Sequence, residues 1–190
     1  MDVVLSPDEI RMLRMWVKYE TKNAGDRVVF EKNSNVVRSI YGVHSSGCLF
    51  DEAARLDRIV DPVQKILKND VYVYQSKVNL KGAFDGDVWD WHQDYIYWHK
   101  EDGMPAPKVL TVAIFLDEIT EFNGPLMLIP GSHRHGVLNN RILEAHPAGY
   151  EDKPGWIANL TADLKYTIDR NVISELVQAN GIVSAKGRAG

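Results

Sequence analysis

Residues 71–98 read VYVYQSKVNLKGAFDGDVWDWHQDYIYW, and this stretch decides the fold class. From Val71 to Leu80, β-branched and aromatic residues alternate with polar ones, the pattern of a strand with one buried face. KGAFDGD (81–87) carries glycines and aspartates and reads as a turn. The aromatic and polar residues of 88–98 then predict a second strand, KEDGMPAP (100–107) a loop, and KVLTVAIFLDEI (108–119) a third, largely apolar strand. A turn at Asn123-Gly124-Pro125 leads to a short strand over 126–129 and a Pro-Gly turn. Strands that follow a helical N-terminal region predict an α+β, mainly-β protein with a sandwich or barrel core.

Outward from that stretch, SPDEIRMLRMWVKYETKNAG (6–25) opens with a helix start. Ser6 and Glu9 match the capping box and Pro7 suits the first helical position, while Ile10, Leu13, Trp16 and Val17 recur at helical spacing up to Gly25. Residues 36–44 predict a strand. Residues 49–69 predict helix in two pieces, split near Asp61-Pro62 because proline disfavours helix in the residue before it. After Val137 the β signal fades, and 138–181 reads as a polar insertion, part helix and part loop, before IVSAKGRAG (182–190), which either begins a further strand or is the turn that introduces one. The expected organisation is one domain over 1–190: a helical part with one strand (6–70), core strands (71–137) and the insertion (138–181).

The 190 residues are 45% hydrophobic and 25% charged, the balance of a globular domain. A net charge of −4 gives no footprint for nucleic acid or an anionic membrane. Cys48 is the only cysteine, so an internal disulfide and a cysteine zinc cluster are both excluded, and a reducing, cytoplasmic setting fits. No run approaches the roughly 20 apolar residues of a membrane span, and the N-terminus does not read as a secretory leader.

The chemistry concentrates in WHQDYI. On a strand, His92 and Asp94 project to one face and Gln93 to the other. A neutral nitrogen beside an anionic oxygen is part of the two-histidine, one-carboxylate site of non-haem Fe(II) oxygenases, which leaves positions open for cosubstrate and dioxygen. The same pair also reads as a hydrogen-bonded His-Asp on a strand. A hydrolytic zinc site using His92, Asp94 and either His99 or His133 is a further alternative.

With FNGPLMLIPGSHRHG (122–136) after it, YQSKVNLKGAFDGDVWDWHQDYIYWHKEDGMPAP (74–107) resembles the phytanoyl-CoA dioxygenase superfamily of Fe(II)/2-oxoglutarate oxygenases. Within it, the likeness is to bacterial ectoine hydroxylases and to free amino-acid hydroxylases of the leucine type. The resemblance implies a double-stranded β-helix (jelly-roll, cupin-like) core with N-terminal helices packed on one sheet. It also implies Fe(II), 2-oxoglutarate and dioxygen as cofactor and cosubstrates, with hydroxylation of an unactivated C–H bond in a small polar substrate, a free amino acid or derivative. His92 and Asp94 match the first two iron ligands. Asn79 and Thr111 match positions near 2-oxoglutarate; Gln75, Lys77 and Trp98 match the substrate end of the pocket. Arg38 is a candidate for pairing with a substrate carboxylate, as an alternative to a structural salt bridge, and His44 for the same role or as a core histidine. His133 and His135 sit in a structural turn, and His146 falls in the polar insertion. The pattern's second histidine and its 2-oxoglutarate-binding arginine are expected beyond residue 190, so the jelly roll is expected to lack its last strands. On that expectation the alternative is a catalytically impaired jelly-roll fragment acting as a binding module. A halogenase is disfavoured by the presence of Asp94.

Overall fold

Ser6 and Glu9 cap each other: the Ser6 N–H donates to Glu9 Oε2 at 2.7 Å, and the Glu9 N–H to Ser6 Oγ at 3.3 Å. The helix they open, α1 (Pro7–Asn23), buries Ile10 and Leu13 and is followed by Gly25 at φ +57, the left-handed region that favours glycine. The computed structural model describes residues 4–190 except 24, 47, 48, 83, 85, 139, 145, 146 and 152–154, and the side chains of 157 and 158 are also left out. Cys48 and His146 therefore lie outside the described residues.

β1 (Val28–Phe30), β2 (Val37–Tyr41) and β3 (Lys77–Asn79) form an antiparallel sheet in that order, with Val28 opposite Ile40 and Ile40 opposite Val78. These three residues and Val43 make a core cluster against which Val17 of α1 and Phe50 pack, so helices back one face of this sheet. α2 (Leu49–Ala54) and α3 (Asp57–Leu67) are the expected helical pair. Their break falls at Arg55-Leu56, not at Asp61-Pro62, and Pro62 lies inside α3. The missing proline N–H leaves the Arg58 carbonyl without its helical donor, and Arg58 is exposed, where solvent can replace that bond.

Three strand expectations are corrected. Of residues 71–80 only Lys77–Asn79 pairs in a ladder. Residues 88–93 belong to no strand, and Asp94 opens a helix, α4 (Asp94–Glu101). Residues 108–119 make only the isolated bridge between Ile119 and Gly187 among the described residues. Alternation reports which side of a segment is buried; a ladder also needs a neighbour with free backbone groups, which alternation does not report.

β4 (Leu126–Leu128) matches the expected short strand and pairs with β7 (Val183–Ala185), in line with the strand reading of 182–190. β5 (Asn140–Ile142) pairs with β6 (Tyr166–Ile168), and α5 (Arg170–Asn180) follows. Residues 138–181, read as a polar insertion of part helix and part loop, do hold a helix in α5, and they also bury Tyr150, Leu160, Leu164, Tyr166, Ile168 and Leu176. The result is mixed helix and sheet in three small sheets, with no closed barrel among the described residues.

Candidate metal centre

The approach to the site, residues 87–93, belongs to no helix or strand, and several of its polar groups are held from elsewhere. The Asp87 N–H donates to Glu31 Oε1 at 3.2 Å, and the Val88 carbonyl accepts from Arg38 Nη2 at 3.0 Å. The Trp91 carbonyl accepts from the Ile168 N–H at 2.8 Å. The Gln93 amide donates to the Gly136 carbonyl at 2.8 Å and accepts from the Leu138 N–H at 2.9 Å. Gln93 therefore points away from the site, as expected, and ties its backbone to the loop after GSHRHG.

At Asp94 the chain turns helical. Gln93 is the N-cap in extended geometry, Asp94 faces the positive end of α4, His99 and Lys100 lie in its last turn, and Gly103 follows at φ +73. Tyr97 anchors this helix from its buried face, donating its hydroxyl to the Tyr166 carbonyl at 3.0 Å and accepting from the Tyr166 N–H at 3.2 Å.

The bend brings His92 and Asp94 together by a different route from the strand expectation. His92 Nε2 lies 3.4 Å from Asp94 Oδ1. On the other side of the ring, His92 Nδ1 lies 2.6 Å from the Asp90 carbonyl, which can only accept, so Nδ1 carries the hydrogen. With Nδ1 occupied, Nε2 either presents a lone pair to the carboxylate or, when it also carries a hydrogen, donates to it. Two acceptors facing each other at this separation require a cation or a proton between them. Burial alone would raise the Asp94 pKa; hydrogen bonding from His92, the nearby Lys77 charge and the Thr111 hydroxyl outweigh it and hold the carboxyl below its ordinary range. An orienting carbonyl behind the imidazole and an anionic carboxylate beside it suit a divalent ion, so the donor chemistry fits Fe(II).

The pair opens on a cavity of about 130 Å³ that Gln75, Lys77 and Trp98 also line. Gln75 bridges two of its aromatic walls, donating to the Tyr41 hydroxyl at 2.7 Å and accepting from Trp98 Nε1 at 3.1 Å. The sequence reading missed Tyr41, Trp89, Tyr97 and Trp156 of the aromatic walls, and Glu101 and Asp102, which also line the cavity. Trp156 stands out in an otherwise polar stretch and was the available signal; its ring meets that of Tyr41 at 5.5 Å.

Other candidates fall elsewhere. Asn79 is exposed and does not line the cavity, and Thr111 is exposed but reaches Asp94. Arg38 is a correction: it is 1% exposed, its Nη1 pairs with Glu31 at 3.0 Å, its Nε donates to the Leu160 carbonyl at 3.1 Å, and its guanidinium lies 3.9 Å from the Trp89 ring centroid. With Nη2 on Val88, every guanidinium nitrogen is engaged, and the residue builds the cavity wall from behind. His44 contacts Ser76, with 2.6 Å between Nδ1 and Oγ. The zinc alternative is not assembled: His99 Nδ1 meets the Met104 carbonyl at 2.8 Å and His133 is exposed. No group of three or more His, Cys, Asp or Glu residues is placed to hold a metal among the described residues.

Comparison with known proteins gives concordant results. The family model for phytanoyl-CoA dioxygenase (PhyH) matches residues 2–176. L-proline trans-4-hydroxylase of Streptomyces griseoviridis is 37% identical over 186 residues, covering 98% of this chain and 68% of that protein. Ectoine dioxygenase of Nocardia farcinica is 36% identical over 194 residues, covering 100% of this chain and 62% of that protein. The crystal structure of EctD from S. alaskensis with 2-oxoglutarate and 5-hydroxyectoine superposes with a TM-score of 0.79 at 30% identity, over 100% of this chain and 60% of that one. The same enzyme with bound Fe gives 0.78 at 28% identity. The chain thus spans about three fifths of the length of the Nocardia farcinica enzyme and of EctD.

Proposed function

The chain belongs to the phytanoyl-CoA dioxygenase family, and from that premise we propose that it carries the cavity and two iron ligands of an Fe(II)- and 2-oxoglutarate-dependent hydroxylase acting on a free amino acid or a close derivative. The observation that carries this reading is His92 Nε2 facing Asp94 Oδ1 at 3.4 Å on the cavity wall. His92 and Asp94 would hold the metal. Iron(II), when bound, supplies the activation of dioxygen that couples decarboxylation of 2-oxoglutarate to hydroxylation.

The chain's own residues do the rest of the work. The Asp90 carbonyl fixes the His92 tautomer, and the Gln93 clamp fixes the backbone between the two ligands. Lys77 is the cation among the cavity-lining residues and supplies a counter-charge for a carboxylate of substrate or cosubstrate. Gln75, held between Tyr41 and Trp98, presets the spacing of the aromatic walls that exclude water and orient the substrate. A cavity of about 130 Å³ admits a molecule of amino-acid size. The relatives named for proline and ectoine support the same size class. Thr111 beside Asp94 supports a place near the cosubstrate, while the exposed Asn79 gives that assignment less support. The proposal extends to a double-stranded β-helix core, supported by the superposition on EctD, and to a reducing cytoplasmic setting, supported by the single cysteine. No helix of the described residues is long and apolar enough to cross a membrane.

Anaerobic addition of Fe(II) and 2-oxoglutarate tests the reading. A visible metal-to-ligand absorption band is expected, followed in air by succinate release that a matching amino acid stimulates. Absence of the band with a correctly folded chain overturns it.

A further inference from the structure

Three aromatic rings run from the cavity to the protein surface. Trp98 lines the cavity with His92 and Asp94. Its ring meets that of Tyr74 edge-on at 5.5 Å between centroids, and Tyr74 meets Tyr72 edge-on at 6.4 Å. Tyr72 is 81% exposed. The Tyr74 hydroxyl donates to Asp102 Oδ2 at 2.7 Å, and Asp102 makes no ion pair among the described residues. Neither Tyr72 nor Tyr74 was given a role by the sequence.

A phenol becomes a far stronger acid when it loses an electron, so a tyrosine can relay an oxidising equivalent only where a base stands ready for its proton. Asp102 is such a base. A competing ring path, Tyr97 to Tyr166 at 5.2 Å, lacks this property at its first step, because the Tyr97 hydroxyl donates to a backbone carbonyl that cannot take a proton. It also ends on a buried ring whose partner Glu101 is already paired with Lys165 at 2.6 Å.

We propose that Trp98, Tyr74 and Tyr72 form an escape path that carries oxidising equivalents from the cavity to the surface when oxygen is reduced there without substrate, with Asp102 as the proton acceptor. The proposal rests on the oxygenase reading above. In the first step, a one-electron oxidant in the cavity takes an electron from the Trp98 indole. The Tyr74 phenol returns that electron to Trp98 and passes its proton to Asp102, leaving a neutral phenoxyl. Tyr72 then reduces Tyr74, which recovers its proton from Asp102, while the Tyr72 proton goes to solvent. A soluble one-electron reductant of the ascorbate class restores Tyr72. The cavity ligands are spared oxidation in this way.

The test uses the full chain loaded with Fe(II) and pulsed with hydrogen peroxide, with oxidised side chains mapped by peptide mass spectrometry and radicals read by freeze-quench electron paramagnetic resonance. Asp94→Ala defines the background from oxidant formed in bulk solution. Above that background, a tyrosyl signal and oxidation at Tyr72 are expected. Tyr74→Phe keeps the ring and its packing but is expected to abolish both and to move the marks onto Trp98 and His92; Asp102→Asn is expected to do the same. A purely structural Tyr74 predicts no change in Tyr74→Phe. Marks at Tyr72 that depend on Asp94 but survive Tyr74→Phe overturn the path and leave the metal reading intact. Marks that are indifferent to Asp94 overturn both.

Discussion

In the β1-β2-β3 sheet the backbone pairs with itself, and Ile40, fully buried, lies between its neighbours Val28 and Val78. In residues 87–93, by contrast, side chains of Glu31, Arg38 and His92, together with the Ile168 N–H, take the backbone groups, and Gln93 ties the segment to residues 136–138. A ladder spreads its stability over many similar bonds, whereas the ligand-bearing segment depends on a few remote side chains with two or three partners each. It is correspondingly easier to break with one substitution, and the breakage is local to the chemistry.

Substitutions in the two regions test this contrast. The largest effect is expected from Arg38→Met, which strands the buried Glu31 carboxylate and frees both Val88 and Leu160. Breaking a buried pair from one side costs about 3–5 kcal/mol, to be read by urea denaturation, and metal affinity is expected to fall with it. Ile40→Ala opens a cavity in the sheet and is expected to cost about 3 kcal/mol, yet leave metal affinity of the folded fraction unchanged; an equal loss of affinity would erase the contrast. Gln93→Ala leaves the Gly136 carbonyl and the Leu138 N–H without their side-chain partner. It is expected to cost about 1–2 kcal/mol and to weaken metal binding out of proportion to that loss, measured by calorimetric titration.

The smallest effect concerns acid. The folded pKa of Asp94 is lowered, since His92, Lys77 and Thr111 outweigh its burial. Its contribution to stability is therefore fully present above the unfolded value of about 3.9 and is lost as pH falls through the lower folded value. Asp94→Asn is expected to flatten this acid limb in thermal melts of the metal-free chain, and an unchanged limb would show that the carboxylate is not held as described.

The same contrast explains what was legible in the sequence. The α1 cap, the Leu126–Leu128 strand and the strand within 182–190 were read from local signals that each segment carries itself. His92 and Asp94 were found as a pair, but for the wrong geometric reason: the aromatic alternation of 88–98 conceals a helix start whose marks were Asp94 in the first turn, His99 and Lys100 in the last, and Gly103 behind them. The structural salt bridge weighed for Arg38 forms with Glu31, seven residues away, but its further partners, and those of Trp156, for which no role was read, lie far along the chain. Arg38 meets a carbonyl 122 residues away, and Trp156 reaches Tyr41 from a stretch too polar to look like a wall. Local pattern reports local structure, whereas the cavity is assembled from contacts that no window of sequence contains.

Anaerobic titration with Fe(II), repeated with Co(II) for its visible spectrum, tests the central claim most directly. Saturable binding is predicted for the full chain, with loss of that binding in both His92→Ala and Asp94→Ala while circular dichroism stays unchanged. Binding undiminished in either folded variant would contradict the assignment of these two residues to the metal.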